Sequence, residues 1–277
     1  MSTAFGARLA AAMEEHGPLC VGIDPHPGLL ADWGLPDDAS GARDFGLRVV
    51  EAVGGRVAAV KPQSAFFERH GSQGIAVLER VVSEARGMGA LVVLDVKRGD
   101  IGSTAQAYAD AYLDQTSPLA VDAVTASPFL GFGSLEPMFE TALANDAGVF
   151  VLALTSNPEG AQVQRATTED GRSVAATVLD AIASRNVGVE PLGSIGAVVG
   201  ATIGSTHGNL DVNGPLLVPG VGAQGGTPED VRRIFGDAVR NVLPSSSREI
   251  LLTGPEKGAL RAAAERAVRG FSALVDA

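Results

Sequence analysis

The chain has 277 residues, 45% hydrophobic and 19% charged, a composition that suits one large α/β domain better than two smaller ones. It contains no run of about 18 apolar residues, and MSTAFGARLAAAMEEHG reads as a short amphipathic helix without a signal-peptide cleavage pattern, so a cytoplasmic protein without membrane association is expected. The formal net charge of -11 opposes the broad basic surface of nucleic-acid binders and leaves only a local pocket for a small anionic ligand.

In chain order, short β-branched runs bounded by Gly, Pro or Asp alternate with longer helical patterns, the signature of a parallel sheet built from βα units. Strands are predicted at 19–23, 56–60, 91–96, 123–126, 149–154, 195–199, 216–219 and 241–243. Eight strands close a barrel, so the expected fold is α/β, a single-domain (β/α)8 TIM barrel over residues 1–277 with a short N-terminal helix. Between the strands, Phe45/Val49/Val53, Ile75/Leu78/Val82, Tyr108/Tyr112, Leu135/Met138/Phe139 and Val178/Leu179/Ile182 recur at helical spacing and read as core stripes. Thr227-Pro228-Glu229-Asp230 has the form of a helix start, with Thr as N-cap and acids at the positive end of the dipole. Residues 258–275 supply a closing helix. STHGNLDVNG, after the sixth strand, has little room for one.

Cys20, the single cysteine, lies in an apolar run and reads as a small buried hydrophobe. His16, His26, His70 and His207 show no metal-ligand spacing, so neither metal nor cofactor is expected. Only three of the 21 basic residues are lysine: Lys61, Lys97 and Lys257. Arginine holds its proton too tightly to exchange it, whereas lysine can act as an acid, so a lysine kept in this background invites a chemical reading.

A barrel of this kind carries its active face at the C-terminal ends of the strands. Asp24 ends the first predicted strand, Lys61 the second and Thr155-Ser156-Asn157 the fifth, and the seventh leads into PGVGAQGG. One acid after a strand is usually a cap or turn residue; the recurrence is harder to dismiss. Asp95 and Lys97 stand two apart in LVVLDVKRGD, so an extended segment puts both on one face. Burying that pair stabilises little more than apolar packing would, which favours function. Asp100 follows where Gly99 permits a turn. D-x-K-x-x-D arises about 0.01 times in a shuffled chain of this composition.

LVVLDVKRGDIGSTAQAYA resembles the D-x-K-x-x-D-I-x-x-T signature of the orotidine 5'-phosphate decarboxylase family, and the likeness extends over most of the chain. KPQSAFFE, TSNPEG and PGVGAQGG are similar to the branch common in actinobacteria and other bacteria. The resemblance implies a cofactor-free decarboxylase of orotidine 5'-phosphate, with Lys97, Asp95, Asp100 and Lys61 as the catalytic array. It implies Asp24, Thr104, Thr155 and Ser156 as substrate ligands, and VPGVGAQGG, with Gly222, Gln224 and Gly225, as the phosphate loop. A homodimer is implied in which Asp100 and Thr104 enter the partner's site. Two features depart from the family pattern: the usual G-R after the eighth strand is replaced by SSSREIL, which makes Arg248 the phosphate candidate, and the loop after the seventh strand is short.

Two other readings compete. A metal-dependent sugar-phosphate decarboxylase or aldolase, similar to 3-keto-L-gulonate 6-phosphate decarboxylase or hexulose phosphate synthase, shares D-x-K-x-x-D, but Lys61 stands where those enzymes place a metal-binding Glu. A non-catalytic nucleotide-binding barrel would not need every charged residue of the array.

Overall fold

A computed structural model of the chain describes residues 3–204, 208–222 and 225–275. Its strands are β1 (Cys20–Ile23), β2 (Ala59–Pro62), β3 (Leu91–Arg98), β4 (Ala123–Ala126), β5 (Gly148–Leu154), β6 (Ile195–Val199), β7 (Leu216–Pro219) and β8 (Val242–Ser246). They pair in parallel in sequence order, and β8 returns to β1 to close the barrel. The helices are α1 (Phe5–His16), α2 (Pro27–Asp32), α3 (Ala39–Val53), α4 (Ala65–Glu68), α5 (Gly71–Gly87), α6 (Gly102–Leu113), α7 (Glu136–Ala144), α8 (Ala161–Gln164), α9 (Val174–Arg185), α10 (Pro228–Phe235), α11 (Arg248–Leu251) and α12 (Lys257–Val275).

Local chemistry explains the helix starts. Asp38 caps α3 by accepting from the N–H groups of Ser40 and Gly41, and Ser173 caps α9 through Ala176. At α10, Thr227 and Asp230 form a reciprocal capping box with Pro228 in the first turn, as the sequence predicts. Among the described residues between β6 and β7 there is no helix.

Two strands differ from expectation. Residues 54–58 form a turn and bend, so β2 begins at Ala59 and Lys61 lies inside it, not after it. β8 runs on through Ser245 and Ser246, both buried, so the serines that read as loop are strand.

The strands alternate between two cores. Outward residues such as Val21, Val60, Val92, Leu94 and Val124 pack against the helices, where the predicted stripes of α3, α5, α7 and α9 lie buried. Inward residues Cys20, Ala59, Leu91, Val93, Ala123, Phe150, Val198, Leu217 and Leu243 fill the barrel. Followed upward, these inward rows become polar: Cys20 leads to Asp24, Ala59 to Lys61, Val93 to Asp95, Ala123 to Thr125 and Leu243 to Ser245. Strand periodicity thus delivers a polar layer to the C-terminal mouth.

Below, α1 closes the barrel. Phe5 is fully buried and meets Phe150 edge to face with ring centroids 6.0 Å apart. Glycine at 148 is what admits it, because a Cβ there would lie 2.2 Å from Phe5 Cδ1. Arg8 Nη1 donates to Asp122 Oδ1 at 2.6 Å, while Asp122 Oδ2 accepts the Val92 N–H at 2.9 Å.

Candidate active site

The polar layer at the mouth centres on Asp95, which is only 8% exposed. Lys97 Nζ donates to its Oδ1 at 2.6 Å and Lys61 Nζ to its Oδ2 at 3.1 Å. Thr125 Oγ1 also donates to Oδ1, at 2.8 Å. Burial alone would raise the Asp95 carboxyl, but the ammonium groups of Lys61 and Lys97 outweigh it and hold the group at about 2. Burial opposes the charge on Lys61, yet Asp95 and Asp24 lift it above the usual lysine range. The carboxylate and the ammonium of Lys61 are therefore both charged at neutral pH. Cys20 beneath them is inert, its thiol pushed up to about 12 by burial.

The two lysines stand in different surroundings. Lys61 is buried, whereas the Lys97 side chain keeps 47% of its surface exposed at the mouth. Simple alternation along an extended strand does not account for that placement. Pairing between β3 and β4 is interrupted between Leu94 and Arg98, and Lys97 adopts φ +46°, a left-handed conformation that costs a residue with a Cβ about 1–3 kcal/mol. Beyond it, Arg98 meets Glu68 Oε1 at 2.6 Å and lies over the Tyr108 ring.

Beside this array, a cavity of about 340 Å³ is lined by Asp24, Lys61, Ser245, Ser247 and Arg248, by His26, Gln63 and Phe66, and by Gly220 and Val221. Lys61 thus joins the cavity to Asp95. Asp24 Oδ1 is buried without a hydrogen-bond partner among the described residues, a free acceptor aimed at a donor the protein does not supply. Arg248 is exposed at the start of α11 and forms no ion pair among the described residues.

Other expected residues lie apart. Thr155 and Ser156 line a separate cavity of about 210 Å³ with Gln164 and Arg165, and the Thr155 hydroxyl is held by Gln164 and Asn157. Asp100 does not reach Lys97; its Oδ1 accepts the N–H of Ile101 at 2.8 Å. Thr104 is exposed on α6. The phosphate loop corrects one expectation: its amides do not form an open nest. Gly222 N–H donates to Gly226 O, Gly225 N–H to Gly222 O and Gly226 N–H to Gly220 O, because left-handed glycines at 222 and 225 fold the loop onto itself. Gln224 lies outside the described residues. Thr125 joins the array although the sequence gave no reason to single it out, since one Thr in AVTA reads as ordinary strand propensity. Among the described residues, no three His, Cys, Asp or Glu side chains gather as a metal site, and no helix is long and apolar enough to cross a membrane.

Architecture and ionic side chains together define a (β/α)8 enzyme whose reacting groups sit at the C-terminal ends of the strands. Residues 17–263 match the family described as Orotidine 5'-phosphate decarboxylase / HUMPS family, and the chain belongs to it. The chain is 64% identical over 263 residues to the orotidine 5'-phosphate decarboxylase of Salinispora arenicola, covering 95% of both chains, and 61% identical over the same coverage to that of Streptomyces coelicolor. A crystal structure bearing the same enzyme's name, from Streptomyces avermitilis, superposes with a TM-score of 0.98 at 60% identity, covering 100% of this chain and 97% of the other. Leishmania donovani OMP decarboxylase is similar at a TM-score of 0.79 and 30% identity, covering 99% and 100%.

Proposed function

We propose that the chain decarboxylates orotidine 5'-phosphate to UMP, the closing step of pyrimidine nucleotide synthesis, in the cytoplasm and without cofactor. One observation carries the reading: a buried carboxylate holds two lysines, one reaching toward a substrate-sized cavity and the other presented at its rim. The close relatives bearing this enzyme's name support it.

Loss of CO2 from C6 of the pyrimidine leaves an electron pair in an sp2 orbital perpendicular to the ring's π system. Ring resonance cannot absorb that charge, so fixed electrostatics must. The Lys97 ammonium, held at C6 by Asp95, stabilises the developing carbanion and then donates the proton that replaces CO2. Two like charges 4 Å apart interact by about 4 kcal/mol at an effective dielectric of 20, so repulsion between Asp95 and the departing carboxylate contributes less than stabilisation of the carbanion does. Lys61 carries the ionic chain toward ribose, and the free Asp24 oxygen accepts a ribose hydroxyl. Thr155 and Ser156 close on the pyrimidine. Arg248 receives the phosphate against the loop that Gly222 and Gly225 shape, with Gln224 beside it. Binding energy at that distant phosphate orients the ring over Lys97.

The reading includes a homodimer with shared sites. Asp100 lies at the rim without reaching its own Lys97, and the neighbouring surface exposes Ile101 (62%), Phe129 (75%) and Leu130 (53%) together, an apolar rim suited to a second copy. Mixing Lys97→Ala with Asp100→Ala protein tests this. A mixed dimer holds one site with both defects and one with none, so random exchange restores about a quarter of wild-type activity. No recovery, with exchange shown by mass-tagged subunits, rejects the shared site.

Loss of orotidine 5'-phosphate absorbance on mixing with purified protein, undiminished by excess EDTA, is the result expected of the decarboxylase. Dependence on added metal would point to the sugar-phosphate branch of the family. Tight UMP binding without CO2 release would point to a binding protein.

A further inference from the structure

We propose that Thr125 is a positioning residue for this reaction: its hydroxyl fixes Lys97 in the left-handed backbone conformation that presents the ammonium, and orients Asp95 at the same time. The inference rests on the decarboxylase reading of the site.

The strand register creates the need. Leu94 pairs with Val124, and pairing resumes only at Arg98 opposite Ala126, so Asp95, Val96 and Lys97 face the single residue Thr125. Such an excess pushes the backbone out of the ladder. Lys97 N–H then donates to the Thr125 hydroxyl, at 2.9 Å, and its φ of +46° falls where residues with a Cβ are rarely found.

A hydroxyl offers one proton and two lone pairs, which suits it to this junction. Thr125 Oγ1 accepts from Lys97 N–H and donates to Asp95 Oδ1 at 2.8 Å, the oxygen that also takes Lys97 Nζ at 2.6 Å. A closed loop results, running from the hydroxyl through the Lys97 backbone and side chain to Asp95 and back. Thr125 is 1% exposed, so water does not replace the hydroxyl if it is removed. The stranded Lys97 N–H then gains by letting the backbone leave its left-handed conformation, which moves the ammonium. The β-branched side chain also limits the directions the oxygen takes. Thr125 acts through Lys97 and Asp95, not on the substrate.

Thr125→Val keeps the shape and removes the hydroxyl; Thr125→Ser keeps the hydroxyl. Because displacements near 1 Å at a reacting group cost about a hundredfold, the valine variant is expected to lose at least about tenfold in kcat, with KM for orotidine 5'-phosphate changing less than about threefold. The serine variant is expected within about threefold of wild type. Crystal structures are expected to show positive φ at Lys97 in wild type and Thr125→Ser, and negative φ in Thr125→Val. Thr125→Ala makes the same comparison if the valine variant does not fold. The proposal is overturned by a valine variant that retains more than half of wild-type kcat or a positive Lys97 φ, or by a serine variant as slow as the valine one. Wild-type protein without turnover defeats the decarboxylase reading itself, while the Lys97 φ values still decide what the hydroxyl does.

Discussion

Both ends of the barrel bury an aspartate against basic side chains, and the two pairings are built for different work. At the lower end Asp122 takes Arg8 on one oxygen and the Val92 amide on the other, and Arg8 also holds the carbonyl of Asp146. Those partners join α1 to the entrances of three strands. At the upper end Asp95 takes two lysines and a hydroxyl, and Lys97 keeps nearly half of its side chain in solvent. Arginine, planar and permanently charged, suits a fixed clamp; lysine can give up a proton. Position on the strand and choice of cation separate a structural ion pair from a chemical one.

Lys97→Ala tests that separation with the largest effect. It removes both the stabilising charge and the proton donor, so kcat should fall by at least about 10³-fold. Melting temperature and UMP affinity should change far less, because half of the side chain was already solvated. Lys97→Arg should fail nearly as completely, since charge without an exchangeable proton leaves the carbanion unquenched. Either variant retaining more than a tenth of wild-type kcat would show that the upper pairing is structural too.

Asp122→Ala is the matching cut below. It strands the Val92 amide and unpairs Arg8, and because Arg8 is partly solvated the cost should be about 3 kcal/mol, the low end for breaking a buried pair. Denaturant unfolding reads this directly. Turnover of the folded fraction should stay within about twofold of wild type, since the defect lies beneath the apolar layers of the barrel. A variant of normal stability and poor kcat would reverse the assignment of the two ends.

The sequence showed this division unevenly. β4, β6 and β7 fall where the apolar runs place them, and the row of Asp95 and Lys97 follows from period-two spacing. β2 was placed too early because Arg56, Val57 and Ala58 carry strand-like residues, whereas Gly54 and Gly55 spend them on a turn. β8 was cut short because Ser245 and Ser246 look like loop unless the inside of a barrel mouth is known to be polar. The left-handed backbone at Lys97 and its tie to Thr125 depend on the register between β3 and β4. Register is a relation between segments, and neither segment displays it alone. Asp122 was missed for a similar reason: its partners, Arg8 and the Val92 amide, lie far from it in sequence.

Arg248→Ala reaches the outer edge of the upper end, where the side chain is exposed and unpaired among the described residues. Losing one charge-assisted contact to phosphate should lower kcat/KM for the nucleotide by about tenfold to a hundredfold. The phosphate-free nucleoside should react at an unchanged rate. Equal losses for both would place Arg248 in the scaffold instead.

Acid provides the gentlest test of how the two lysines hold Asp95. Its folded value of about 2 lies below the ordinary 3.8, so between those values the folded protein binds fewer protons than the unfolded chain and stability rises with pH. The contribution, roughly 2 kcal/mol, is complete above about pH 4, declines as pH falls toward 2 and is absent below the folded value. Asp95→Asn cannot titrate, so between pH 5 and about pH 2 wild type should lose roughly 2 kcal/mol more than the variant does. The same shift keeps Asp95 ionised throughout pH 5–8, and no acid limb in kcat over that range should trace to it. If wild type and variant lost stability equally, the lysines would not be holding the carboxylate as the geometry indicates. The upper end would then be the looser of the two pairings in the resting protein, and its order would have to come from the substrate.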